Sequence, residues 1–267
     1  LGSVYAIIAL GYTMVYGIAK MLNFAHGDVI MVGAYVVFTI ISTMGYPPVV
    51  GVIVAVAVCT VLGITIERIA YKPLRNASSL AVLITAIGVS YFLQNMALIV
   101  FGADTKSFNS VVHFGPFNIG GLVISGETLV TIISCIVIMI VLTAFINKTK
   151  AGQAMLAVSE DKGAAVLMGI NVNQTIALTF AIGSGLAAIA GTLLCSAYPT
   201  LSPYTGSMPG IKAFTAAVFG GIGSIPGAFL GGILLGVIEN MSKAYISSQL
   251  SDAIVFSVLI IVLLVKP

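Results

Sequence analysis

Charge is what this chain has least of. Asp, Glu, Lys and Arg make up 7% of its 267 residues and 59% are hydrophobic, whereas an ordinary soluble domain carries about 25% charged residues. Too few polar groups remain to cover a globular surface, so a soluble fold is excluded and an integral membrane protein is implied. Apolar runs recur to the last residues with no polar domain behind a short leader, which excludes a secreted protein preceded by a signal peptide. Leu1 already stands inside an apolar run and Lys266-Pro267 follows another, so both ends read as trimmed. The chain has no GxxxxGK run followed by Ser or Thr to cradle nucleotide phosphates. Its two histidines, His26 and His113, are too separate for a metal motif. No catalytic residue, metal or cofactor of the chain's own is therefore expected. Cys59, Cys135 and Cys195 all lie in apolar runs, where a thiol acts as a small hydrophobe rather than a disulfide partner. The net charge of +3 is spread over loops, which argues for membrane orientation and against nucleic acid.

What is present is hydrophobic length. A spanning helix needs about 20 mostly apolar residues, and eight stretches approach this: 1–19, 29–44, 49–66, 79–101, 129–146, 175–198, 213–240 and 252–265. Backbone groups in lipid must be satisfied internally, and these runs lack period-two alternation, so the expected fold is an all-α polytopic bundle forming one transmembrane domain over 1–267. Cytoplasmic loops hold the excess of Lys and Arg. That rule puts the loop flanked by Arg68, Lys72 and Arg75, and the segment 147–171 with Lys148, Lys150 and Lys162, on the inside, and the long loop 102–128 outside. The segment 199–210 then also falls outside. The run 213–240 is interrupted at 219–227, where four glycines and Pro226 break helical hydrogen bonding. A re-entrant pair of shorter helices there leaves Lys266 inside, giving eight of the 11 basic residues inside against three outside.

The interruption at Gly220, Gly221, Gly223, Pro226 and Gly227 has a partner at 16–28, YGIAKMLNFAHGD. Each half thus holds a break followed by a small-residue helix, the pattern of transporters built from two related repeats with discontinuous helices near the pathway. Asn23, His26 and Asp28 are the polar groups of the first break, and intramembrane ionisable groups are functional candidates. Asp28 has a structural alternative as N-cap and dipole partner of the helix beside it, if that break lies at the inner surface. Thr85, Ser90 and Gln94 are taken as one polar face of the fourth run, serving either helix packing or a pathway. Gly223, Gly227 and Gly231, with Gly232 and Gly236, make a smooth face for close packing within the chain, for a lining of the pathway or for contact with a second permease subunit. Glu239 is expected to be solvated near the outer surface. The inner segment ends in AVSEDKGAAVLMGI (157–170), a short helix with an acidic pair and a small apolar end. An ordinary solvated loop and a knob for a soluble partner are both open on these residues alone.

Gly2 to Tyr35 (GSVYAIIALGYTMVYGIAKMLNFAHGDVIMVGAY), MGIN at 168–171 before ALTFAIGSGLAAIAGTLL, and FTAAVFGGIGSIPGAFLGGILLGVIEN at 214–240 resemble the inner-membrane permeases of bacterial branched-chain amino acid ABC transporters, of the LivH type. NFAHGD and GGIGSIPGA are the most specific stretches, and urea and short-amide permeases share versions of both. The resemblance implies a multi-pass inner-membrane permease. It also implies a LivM-like second permease, two cytoplasmic ATPase subunits that hold the ATP and Mg, a periplasmic binding protein, and leucine, isoleucine or valine as cargo. It further implies that 157–170 is the coupling helix, although the strict EAA triplet is missing. From its start at Ala157, Ser159, Glu160 and Asp161 would then form its polar edge, Leu167, Met168 and Ile170 its apolar contacts, and Gly169 its close turn. A urea or amide permease is the same-class alternative. A self-sufficient channel or ion-coupled carrier is the alternative of another class, weakened by the scarcity of buried acids.

Overall fold

The computed structural model describes residues 1–75, 77–112, 115, 117–119 and 122–265; Lys266 lies outside the described residues. Helices run in the order α1 (Gly2–Ala19), α2 (His26–Phe38, continued by a π turn to Thr43), α3 (Pro48–Ile66, continued to Leu74), α4 (Ser79–Phe101), α5 (Gly126–Lys148), α6 (Lys150–Glu160), α7 (Lys162–Leu167), α8 (Val172–Ala197), α9 (Ser207–Gly220), α10 (Ile225–Tyr245) and α11 (Ser251–Val265). Seven of the described helices are long and apolar enough to cross a membrane, and α11 is a shorter apolar helix. The fold is all-α apart from two short antiparallel ladders in connecting segments. β1 (Lys106–Ser107) pairs with β4 (Thr200–Leu201), and β2 (Phe117–Ile119) with β3 (Leu122–Ile124).

Helix starts are set by the residues just before them. Ser78, Ser125, Thr149, Asp161, Asn171 and Ser224 each accept from a backbone N–H of the first turn of α4, α5, α6, α7, α8 and α10, satisfying donors that lipid cannot.

The spanning windows of α1 and α8 are 83% and 72% buried, against 28% for α3 and α4 and 22% for α5. α1 and α8 therefore form the centre, while the more apolar α3 and α5 turn most of their surface outward, as suits helices whose surroundings are lipid. Lipid tails are as apolar as leucine, so close backbone approach holds such helices together. Gly33 of α2 lies against Ala188, Gly183 against Val15, Gly63 of α3 against Ser184, and Gly185 against Thr60. The glycine face of α10 is used the same way within the chain: Gly231 meets Ala216 of α9, while Gly232 and Gly236 meet Ala6 and Gly2 of α1.

Lys20, Arg75 and Lys162 come together at one end of the bundle. There Arg75 pairs with Glu67 and bonds Asn173 at the start of α8. Arg75 and the start of α4 lie at this basic end, whereas β1 and β4 follow the far ends of α4 and α8.

The first break departs from the surface position its sequence suggests. α1 ends at the basic end with Lys20 in the left-handed region (φ 58°), and residues 20–25 turn back into the bundle. α2 therefore starts at the level of Gly11: the His26 ring packs on Gly11 and on Tyr12, at 4.7 Å between ring centroids. Gly11 is eight residues, about 12 Å, from Ala19.

The second break, 221–224, lies at the basic end, where Gly223 (φ 98°) abuts Gly17. Hence 213–240 is not a shallow dip and return. The segment 199–206, a short strand followed by a turn, and α9 together make one traverse, and α10 makes another. Nor does 199–210 stay at the far surface, because only its first residues do.

Candidate functional site

The first break delivers one acidic side chain to the middle of the bundle. Asp28 is the third residue of α2, whose N-cap is Ala25 with no side-chain cap. It is thus a first-turn residue favoured by the helix dipole, but neither a cap nor at a surface, since it is 2% exposed. Gln94 of α4 donates Nε2 to Asp28 Oδ1 at 2.9 Å, and the same nitrogen lies 3.2 Å from Ser207 Oγ and 3.4 Å from Ser90 Oγ. Gln94 stands 15 residues into α4, about 22 Å along a helix about 34 Å long. The cluster therefore lies roughly two-thirds of the way from the basic end.

Ser207 arrives because α9 begins at this depth. Gly206 and Gly210 pack on Gly27 so closely that a Cβ on Gly27 would stand 2.7 Å from the Gly206 carbonyl oxygen. Glycine on both sides lets the starts of α2 and α9 cross here. The start of α2 thus meets the segment before α9, while the 219–227 interruption abuts the end of α1 at Gly17.

The cluster opens into a cavity of about 530 Å³ lined by Phe24, Asp28, Leu83, Ile87, Ser90, Tyr91, Gln94, Tyr204, Ser207 and Ile211. One end is polar and the wall is aliphatic and aromatic, the composition of a site for a small molecule with a polar head. Of the predicted polar residues, Asp28, Ser90 and Gln94 meet here. Thr85 does not, because five residues of helix rotate it roughly 140° from Ser90. Asn23 is held nearer the basic end, accepting from Tyr71 Oη at 3.0 Å, and His26 is buried in the α1 contact.

Gly220, Gly221, Gly223, Pro226 and Gly227 form a different feature. Gly221 (φ 90°) and Gly223 shape the turn, Gly220 and Gly227 touch backbone to backbone, Ser224 caps, and Pro226 occupies the first turn of α10. Gly223 and Pro226 line a cavity of about 640 Å³ at the basic end, together with Lys20, Ser159 and Glu160.

The segment 157–170 is two helices rather than one. Asp161 ends α6 and caps α7, its Oδ1 accepting from Gly163 and Ala164 at 2.6 and 3.0 Å, so it is a hinge residue and not part of a continuous polar edge. Ala157 is half-buried against the core, Ser159 donates to the Leu156 carbonyl, and Glu160 is exposed. Leu167 and Met168 are 89% and 82% exposed, an apolar tip closed by the left-handed turn at Gly169 (φ 81°). Ile170, expected beside them, packs back on the core. Lys162 donates to the Ala19 carbonyl at 3.2 Å, tying α7 to the last turn of α1. Burial, then Arg75 and Lys20, lower its pKa.

Glu239 is not solvated. It is 1% exposed and accepts from Lys212 at 2.9 Å and Lys243 at 2.6 Å, while Lys212 also pairs with Asp252 at 2.6 Å. Among the described residues, no group of three His, Cys, Asp or Glu could hold a metal.

The family described as the branched-chain amino acid transport system permease component matches residues 1–263. The chain is 46% identical over 280 residues to the high-affinity branched-chain amino acid transport system permease protein LivH of Salmonella typhimurium, spanning all of this chain and 91% of that protein. It is 45% identical over 278 residues to the corresponding protein BraD of Pseudomonas aeruginosa, with the same coverage. Among solved structures, PsaBC from Streptococcus pneumoniae in complex with Fab is similar at a TM-score of 0.49 and 15% identity, over 98% of this chain and 89% of that one.

Proposed function

The chain belongs to the branched-chain amino acid transport permease family, and from that premise we propose that it is the membrane-spanning permease subunit of an ATP-driven importer of leucine, isoleucine and valine. It sits in the bacterial inner membrane with its basic end in the cytoplasm. A LivM-like permease completes the pathway, two cytoplasmic ATPase subunits hold ATP and Mg, and a periplasmic binding protein delivers the amino acid to the far end, where β1 and β4 lie. This chain holds no cofactor and does not hydrolyse ATP.

The observation that carries the ATP-driven reading is the apolar tip at the basic end. Val166, Leu167 and Met168 are 59%, 89% and 82% exposed on a rigid turn, beside charged residues that mark a water-facing surface. Such a tip costs solubility unless a partner covers it. Its attachments suit a mechanical role. Gly152, Met155 and Val158 bury α6 against the bundle, and Lys162 grips the end of α1. A displacement of α7 by ATPase closure therefore reaches α1 and, through residues 20–25, the start of α2 at Asp28.

Uptake of labelled leucine and labelled urea into vesicles holding the assembled complex, with and without the ATPase subunits, tests this reading. Leucine uptake that needs both ATP and the ATPases is the expected result. Uptake by this chain without the ATPases would overturn the reading in favour of a channel or ion-coupled carrier. Urea in place of leucine would overturn the cargo alone.

A further inference from the structure

Among the described residues, Asp28, Glu67 and Glu239 are the buried acidic side chains. Glu67 is paired with Arg75, and Glu239 with Lys212 and Lys243. Asp28 has no basic partner; it receives the neutral amide of Gln94. A carboxylate buried without a cation is costly in a low-dielectric interior, and intramembrane acids that persist mark binding or transport paths. Asp28 also lines the 530 Å³ cavity, whose apolar and aromatic wall is supplied by Phe24, Leu83, Ile87, Tyr91, Tyr204 and Ile211.

We propose that Asp28 is the group that recognises the α-ammonium of the amino acid in transit, and that the aliphatic wall of this cavity receives the branched side chain. The inference rests on the importer reading above and specifies the site within it. The cationic head supplies the partner that Asp28 lacks. Gln94 is the positioning residue: its amide, steadied by Ser207 and Ser90, aims the carboxylate without neutralising it. Phe24 and Ile211 flank the head from the two segments that cross at Gly27, while Ile87 and Leu83 lie one and two helical turns below Ser90 on the same side of α4. The site therefore asks for two things at once, an amine and an aliphatic tail. A fatty acid offers the tail without the amine.

The test uses the full complex with its binding protein and reads leucine uptake and complex assembly separately. Asp28→Asn keeps size and hydrogen bonding but removes the charge. It is expected to cut leucine uptake at least tenfold while the permease still folds and co-purifies with its ATPase subunits. Asp28→Glu is expected to recover part of the uptake, which a purely structural role would not predict. Ile87→Trp enters the cavity from the outward side of α4 and is expected to impair leucine uptake more than alanine uptake. Asp28→Asn uptake within twofold of wild type overturns the proposal, as does equal loss in the Asn and Glu variants together with unaffected leucine uptake in Ile87→Trp. Failure of the wild-type complex to take up leucine would instead strike the cargo reading on which the site depends.

Discussion

Replacing Glu239 by Ala removes the anion that holds two lysines together between α9 and α10. Its side chain is 1% exposed and accepts from Lys212 (8% exposed) and Lys243 (39% exposed). Breaking a buried pair from one side costs about 3–5 kcal/mol because the remaining charge stays buried without a partner. Lys212 keeps Asp252 at 2.6 Å, and Lys243 can turn to solvent, so the lower end, about 3 kcal/mol, is expected. At about 2–4 °C per kcal/mol for a chain of this size, the midpoint should fall by about 6–12 °C. The chain has no tryptophan, but Cys59, Cys135 and Cys195 are free and buried, so a thiol-reactive dye reports unfolding in detergent. Asp252→Ala removes a partner that is 41% exposed and should cost about 0–1 kcal/mol. The double variant Lys212→Met/Glu239→Leu replaces the central pair by apolar side chains of similar volume and should be more stable than Glu239→Ala alone. A Glu239→Ala midpoint within 1 °C of wild type, or a double variant no better than the single one, would refute the reasoning.

Gly27→Ala places a methyl 2.7 Å from the Gly206 carbonyl oxygen, and overpacking of this kind costs about 1–3 kcal/mol, so the dye midpoint and leucine uptake should fall together. Gly169→Val puts a β-branched residue at φ 81° with open space around it; the local strain of about 1–3 kcal/mol should reduce uptake while membrane insertion stays normal. Leu167→Asp combined with Met168→Asp changes only exposed positions, so the permease should stay folded while co-purification of the ATPase subunits drops. Retained co-purification would remove the tip from the contact.

Most of the architecture is legible in the residues because lipid leaves few choices. Runs of apolar residues become helices, and Ser78, Ser125, Thr149, Asn171 and Ser224 announce their starts. The glycine spacing of α10 correctly signals close helix contact, which the structure resolves as contact with α1 and α9. Within the inner segment, Asp161 followed by Gly163 and Ala164 carries a cap signal, which divides 157–170 into α6 and α7.

Depth is what a linear pattern conveys poorly. Asp28 and Glu239 each occur near a helix terminus in the sequence, yet one lies mid-bundle and the other in a buried ion cluster. For Asp28 the decisive step is the return of residues 20–25 from the basic end, which depends on His26 finding room at Gly11 and on Gly27 finding Gly206 and Gly210. A local reading cannot add up contacts separated by about 180 positions. The signal nonetheless exists in PTLSPYTGSMPG: Gly206 and Gly210 stand four apart, so they share one helix face, and Pro209 suits a first helical turn. Together they describe a helix that starts with a bare face, and a bare face has meaning only if another backbone comes against it. NFAHGD offers the matching glycine at the start of α2. Pairing the two breaks by bareness rather than by order along the chain brings Ser207 to Gln94, and Gln94 to Asp28.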